Sequence, residues 1–459
     1  MNRMIILSLA GMLFLQSCST PYTGVKPTPQ QVAWAEAEIG VIITYDINIY
    51  APDTYKESNP ATLPDLKVFN PRKLNTDQWL EAAASLGAKY AVLVAKHGSG
   101  FTLWPSKAHG YHVGNTPWRN GQGDIVADFI QSCKKYGIKP GMYYNTGWNT
   151  YFGAIGNENI IKNWEEEKKN AYNQVVLQQI TELWTQYGPQ FELWFDGGVM
   201  RDEDGGIASS VVRLIETHQP GAVLFCGQVN AKNLVRWSSN ESGYVEYPNW
   251  STANRTSSEG HNFVEWGTGT PDGEFWAPAE ADIPNRRKQS WCGGWLWRAD
   301  EEKFVFPAED LVNRYYNSVG RNANLLVGMV IDTAGLFPEY DKRQFELAGK
   351  EIKRRFGKSI AETSGKGETV GLKIGKQPTA INHIVIQEDI ANGERIRKYV
   401  VEANVNGQWI AVCDGESVGH KRIQQFDAVT TNEIRLRVVE AVDVPLIKRL
   451  AVYHVTPSE

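Results

Sequence analysis

At 459 residues the chain is long enough for one large domain and a smaller one, and 42% hydrophobic residues is the share of an ordinary globular protein. A net charge of −5 from interspersed acids and bases, with no basic stripe, excludes nucleic acid or an anionic surface as an implied partner. The 16 Trp and 19 Tyr, many in polar, glycine-rich stretches, suit a neutral ligand with an apolar face.

In chain order, Arg3 followed by the apolar run Met4 to Leu15 predicts a signal peptide over residues 1–17, too short to span a bilayer comfortably. Leu15-Gln16-Ser17-Cys18 resembles a bacterial lipobox, in which Cys18 becomes the acylated N-terminus. Residues 18–33 would then be a tether. The expected location is outside the cytoplasm, periplasmic or on the outer-membrane surface, held to the membrane through Cys18 alone; plain cleavage without lipid is the alternative.

Between residues 34 and 357 β-rich runs alternate with helical patterns, which predicts parallel strands with crossover helices, an α/β fold of the (β/α)8-barrel type. Strands are expected at Ile39 to Tyr45, Tyr90 to Val94, Lys139 to Tyr144, Phe191 to Phe195, Ala222 to Cys226, Leu234 to Trp237, near Trp291 to Trp297, and at Ala323 to Val327. Helical spacing marks Thr76 to Leu86 and Asp124 to Tyr136, the first capped by Asn75 or Thr76, then Tyr172 to Tyr187, Val211 to Thr217, Leu311 to Val319 and Asp341 to Phe356. Beyond a linker at Ser364-Gly365-Lys366-Gly367, alternating runs over residues 368–459 predict a C-terminal antiparallel β-sandwich, with Asn406-Gly407 as one hairpin turn. Trp409 is the only tryptophan there, which favours a buttress over a sugar-binding module.

The run Phe191 to Phe195 ends in Asp196 and then Gly197-Gly198. A carboxylate at the C-terminal end of a barrel strand stands where such enzymes keep catalytic residues; an Asp capping the next helix is the plainer explanation. Hydrolysis of a glycoside needs a second carboxylate. Glu241 follows the strand that ends at Trp237, with Glu246 and Glu259 as rivals. His97 and Trp104 follow the second strand; Tyr143, Tyr144 and Asn145 end the third; Trp194 lies on the fourth; Trp295 and Trp297 end the run near residue 291. Each could line a ligand cleft or belong to the core.

Other chemistries find little support. Gly121-Gln122-Gly123-Asp124 lacks the Lys-Ser/Thr ending of a phosphate loop, and no Gly-x-Ser-x-Gly elbow occurs. His109 and His112 have no third ligand nearby, so no metal is expected, and no cofactor is required. Cys133, Cys226, Cys292 and Cys413 are scattered and are expected to fill the core.

Taken together, Ala95-Lys96-His97, Gly100-Phe101, Leu103-Trp104-Pro105-Ser106-Lys107, Asn120 to Val126, Gly141-Met142-Tyr143-Tyr144 and Trp194-Phe195-Asp196-Gly197 resemble the α-L-fucosidases of glycoside hydrolase family 29. The resemblance extends through Arg321 to Leu326 and Gly335 to Pro338 to Gly419 to Ile423. It implies a retaining hydrolase acting on fucosylated oligosaccharides or glycoconjugates, similar to the branch that cleaves α-1,3 and α-1,4 linkages. Asp196 would be the nucleophile and Glu241 the acid/base, with His97, Tyr144 and Trp194 around the sugar. Two positions depart from the family: Thr44 stands where a hydroxyl-binding His is usual, and Gly98 replaces the second of two histidines. Both remove imidazoles, so a related glycone such as α-L-galactose is an alternative. A catalytically inactive surface glycan-binding protein is the alternative from another class, although a pure binder needs neither acid.

Overall fold

The computed structural model describes residues 23–155, 161–227, 231–256 and 264–456. The signal peptide and Cys18 lie outside them, as does Glu259. Eight parallel strands close into a barrel in chain order: Ile39–Thr44, Tyr90–Lys96, Lys139–Asn145, Glu192–Asp196, Val223–Phe225, Leu234–Trp237, Ala279–Ile283 and Ala323–Val330. The last strand pairs back onto the first, from Ile39 opposite Leu325 to Thr44 opposite Val330. Helices Thr76–Leu86 and Ile125–Tyr136 start on Asn75 and Asp124, whose side chains accept main-chain N–H groups, and stop at Gly87 and Gly137 in left-handed geometry. Between the fifth and sixth strands only residues 226–233 intervene, too few for a crossover helix.

Three expectations are corrected. The seventh strand is Ala279–Ile283, and Trp291–Gly294 is instead a 3-10 turn with Cys292, Gly293 and Gly294 at positive φ. The true strand was hidden because its inward positions carry Glu280 and Asp282, so it does not read as an apolar run. The tether is shorter than residues 18–33: Pro29–Ala35 is a helix closed by a Thr28–Gln31 capping box. It plugs the lower barrel mouth, where Gln31 donates to the Leu234 and Trp276 carbonyls and Trp34 is fully buried beside Tyr90. The presumed linker at Ser364 belongs to a strand, Ala361–Lys366, because alternate residues face the sandwich and its main chain pairs with Leu446–Tyr453.

The sandwich comprises two four-stranded antiparallel sheets over a core that includes Ile384, Ile386, Tyr399, Val401, Leu436 and Leu450. Asn406 and Gly407 both take positive φ and join Ile396–Val405 to Gln408–Gly415, the type I′ geometry their sequence predicts. Trp409 lies under the Arg435 guanidinium, 4.2 Å from its ring centre. The Gly419–Ile423 motif joins the two domains. His420 donates its main-chain N–H to Asn322 (2.7 Å), and its ring meets Glu38 at 3.0 Å. Burial pushes the Glu38 carboxyl upward, but the Lys421 ammonium and His420 outweigh this and bring it down to about 2. The motif is therefore an interdomain clasp that holds the loop before the last barrel strand.

Candidate active site

The C-terminal barrel mouth holds a cleft of about 330 Å³ lined by Thr44, Glu57, His97, Tyr143, Trp194, Asp196, Glu241, Asp282, Cys292 and Trp295, with Ile42, Val94 and Leu296 as its apolar patches. Barrel topology explains the gathering. Side chains at alternate positions of parallel strands point inward, and the register sets Tyr143 opposite Trp194 and Asn145 opposite Asp196. Trp194 in turn pairs with Phe225. The result is a continuous aromatic column in which His97 stacks on Tyr143 (5.9 Å), Tyr143 on Trp194 (5.2 Å) and Trp194 on Phe225 (3.9 Å). Such a wall offers flat apolar faces to the C–H side of a sugar.

Asp196 ends the fourth strand, and Gly197 and Gly198 at positive φ turn the chain away at once. Its Oδ2 accepts hydrogen bonds from the Tyr143 hydroxyl (2.7 Å) and the Asn145 amide (3.2 Å). Burial, reinforced by the Asp196 charge, holds the Tyr143 phenol far above its ordinary pKa, so it remains a donor. Lys96 supports this arrangement from behind by donating to the carbonyls of Asn145 (2.6 Å) and Trp148 (2.5 Å). Burial draws its ammonium down to about 7.

Glu241 occupies a loop after the sixth strand that is fastened to the seventh at both ends. Ser238 N–H donates to the Glu280 carbonyl (2.9 Å) and Gly243 N–H to the Asp282 carbonyl (3.0 Å). Arg236, fully buried on the outer face, ties the neighbouring loops together through Gly267, Ala277 and Asn249. The rival Glu246 is exposed, does not line the cleft and lies near Arg321. Beneath the floor, Glu280 accepts from Tyr90 (2.7 Å) and Trp194 (2.9 Å). Burial pushes Glu280 up to about 7, and burial together with the charge of Glu280 raises Glu192 well above the usual carboxylate range.

Of the residues predicted to surround a ligand, His97 and Trp194 line the cleft. Trp104 and Tyr144 do not. Both face helix Glu166–Gln186, where the Trp104 indole donates to Glu182 (2.8 Å) and the Tyr144 hydroxyl to Gln179 (2.5 Å). Tyr143 takes the inward position, since a one-residue step along a strand moves a side chain to the opposite face. Trp297 is replaced by Trp295, because its segment is a turn and not a strand. Cys292 is exposed at the cleft and is no core filler, unlike Cys133 and Cys226; the four cysteines among the described residues are free.

Sequence reasoning missed Glu57 and Asp282. A Cβ built on Gly98 would stand 1.7 Å from Glu57 Oε1, so the Glu57 carboxylate fills the space that a side chain at 98 would need. Thr150 holds the two segments together, its N–H donating to the Gly98 carbonyl (2.8 Å) and its hydroxyl to the Glu57 carbonyl (2.7 Å). No local pattern in the loop after the first strand points to Glu57. Asp282 carried a signal, the alternation of alanine and acid in Ala279-Glu280-Ala281-Asp282. Among the described residues no group of three or more His, Cys, Asp or Glu side chains is placed to hold a metal ion. His109 and His112 accept main-chain N–H groups of their own loop.

Two carboxylates in an aromatic-walled cleft can perform glycoside hydrolysis, and comparison with known proteins agrees. The α-L-fucosidase family model matches residues 28–354. The chain is similar to α-L-fucosidase 1 of Arabidopsis thaliana, 30% identical over 93% of this chain and 87% of that protein. It is also similar to a crystal structure of a Bacteroides thetaiotaomicron protein assigned as an α-L-fucosidase: 38% identical, TM-score 0.87, covering 94% of this chain and 100% of that one. A glycoside hydrolase family 29 structure from a rumen bacterium is 29% identical with a TM-score of 0.80, covering 95% of this chain and 78% of that one.

Proposed function

This chain belongs to the α-L-fucosidase family, glycoside hydrolase family 29, and on that premise we propose that it releases terminal α-L-fucose from glycans with net retention, Asp196 being the nucleophile and Glu241 the acid/base. The observation that carries this reading is the Asp196 carboxylate, exposed in the same cleft as Glu241 and fixed by two donors on one oxygen. Tyr143 and Asn145 orient Oδ2, and among the described residues no donor meets Oδ1, which is left for attack at the anomeric carbon. Glu241 gives its proton to the departing glycosidic oxygen as the Asp196 ester forms. The same carboxylate then takes a proton from water, which breaks the ester and regenerates Asp196.

The linkage class proposed is α-1,3 and α-1,4, supported by the Arg236-Trp237…Asn240-Glu241 segment that resembles that branch. The expected result, followed by proton NMR of hydrolysis of defined fucosyl oligosaccharides, is initial release of the α anomer; a β anomer first would exclude double displacement. Polar Thr44 and Glu57 at the cleft favour a test of one other glycone, L-galactose, whose C6 hydroxyl needs a polar partner. Turnover of an aryl α-L-galactoside equal to that of the fucoside would reassign the glycone.

The proposed location is outside the cytoplasm on a lipid anchor at Cys18, supported by the apolar run before Leu15-Gln16-Ser17-Cys18. No helix among the described residues is long and apolar enough to cross a membrane. The intact mass of the mature protein should show an acylated N-terminal Cys18; an unmodified N-terminus would refute the anchor.

A further inference from the structure

Besides Asp196, Glu241 and Glu57, a fourth carboxyl lines the cleft. Asp282 is inward-facing near the end of the seventh strand and 3% exposed. Its Oδ1 accepts the Trp237 indole N–H at 2.7 Å, and its main-chain carbonyl holds Gly243. Trp237 and Gly243 flank the loop that carries Glu241, so one residue grips that loop at entry and exit. The grip at entry is itself braced, because Trp237 packs edge-on against Trp266, with ring centres 5.1 Å apart. Within the loop, Ser239 is at positive φ, Asn240 bonds back to the Ser238 and Tyr244 carbonyls, and Arg314 holds the Ser242 carbonyl. Glu241 itself is exposed, and among the described residues no hydrogen bond fixes its carboxylate. The aim of that carboxylate depends on its loop.

We infer that Asp282 is a positioning residue for the acid/base step: through the Trp237 indole and the Gly243 N–H it holds the Glu241 loop at the distance from which Glu241 protonates the leaving oxygen. This rests on the assignment of Glu241 proposed above. The groups facing Asp282 are Glu241 on the loop, Glu280 two residues back on its own strand, and Cys226 at the end of the fifth strand, which also lies near Asp196. Burial, with the charges of Glu241 and Glu280 adding to it, pushes the Asp282 carboxyl well above the usual carboxylate range. In the cleft its Oδ1 works as the acceptor for the Trp237 indole. That separates its work from that of Asp196 and Glu241, which exchange a proton or a bond with substrate.

The test compares kcat/KM on a fucosyl disaccharide, whose leaving alcohol needs protonation, with that on 2-chloro-4-nitrophenyl α-L-fucoside, whose phenolate does not. Asp282→Ala should lose at least about tenfold more on the disaccharide than on the aryl glycoside, chiefly in kcat. Asp282→Asn, whose amide oxygen can still accept the indole, should recover about tenfold of the disaccharide loss. Trp237→Phe removes the donor while leaving Asp282 in place, should show the same leaving-group signature, and carries the test should Asp282→Ala not fold. Equal losses on both substrates, or a loss confined to KM, would overturn the inference and leave Asp282 with a purely structural or sugar-contact role. Glu241→Ala measured alongside separates the two levels. If it shows no leaving-group dependence, the assignment of Glu241 fails; if it does and Asp282→Ala and Trp237→Phe do not, this inference alone fails.

Discussion

Asp196→Ala should lower kcat on an aryl α-L-fucoside by on the order of 10⁴-fold or more while leaving the fold and fucose binding measurable. A loss of that size corresponds to about 5.5 kcal/mol of transition-state stabilisation. It exceeds what any one hydrogen bond in the cleft supplies, because the substitution removes the only atom placed to form the ester. The fold should survive. Asp196 is exposed at a strand end, and its two donors keep each other as partners, since Asn145 also lies 3.3 Å from the Tyr143 hydroxyl. The stack of His97, Tyr143, Trp194 and Phe225 is held by barrel register and does not depend on the missing carboxylate. Titration calorimetry with fucose should therefore still detect binding. Azide supplied to this variant should occupy the vacated face and yield the β-L-fucosyl azide, the inverted product. Turnover within tenfold of wild type would remove Asp196 from the mechanism.

The parts of this site that could be found in the sequence share a local cause, and so do those that could not. The place of Asp196 was legible because an apolar run, a carboxylate and two glycines are adjacent in the chain and map directly onto strand, cleft carboxylate and turn. Glu241 was legible only as one of three acids after the sixth strand, and the choice among them came from family resemblance; the loop's attachment to the seventh strand is a long-range fact. Tyr143 and Tyr144 were both named at the end of the third strand, but adjacent residues face opposite sides of a sheet. Register settles the matter: Tyr143 pairs with Trp194, two residues before Asp196 on the same inward face. Once Asp196 is taken as inward, alternation along its strand and across the ladder selects Trp194 and Tyr143 together. The seventh strand failed for the opposite reason, since Glu280 and Asp282 stand in place of the apolar inward residues by which a buried strand is recognised. Glu57 was beyond reach, because only the folded chain brings its carboxylate over Gly98, and a glycine in sequence does not say what fills its space.

Glu241→Ala should separate substrates by leaving group. On a fucosyl oligosaccharide, whose leaving alkoxide must be protonated, kcat/KM should fall by about 10³-fold or more, whereas an aryl fucoside with an acidic phenol should lose far less in the first step. For the aryl substrate the slow step becomes hydrolysis of the Asp196 ester, since no base activates water. The ester should accumulate, giving a burst of phenol followed by slow turnover and a lowered KM. Azide needs no general base, so it should accelerate this second step and produce the α-L-fucosyl azide, with configuration retained. That outcome is opposite in stereochemistry to the one expected from Asp196→Ala, so the two azide products identify which carboxylate attacks and which transfers the proton. A uniform loss across leaving groups with no response to azide would instead assign Glu241 to shaping the loop between the sixth and seventh strands. The acid/base would then have to be sought among the other carboxyls of the cleft, Asp282 beside it and Glu57 over Gly98.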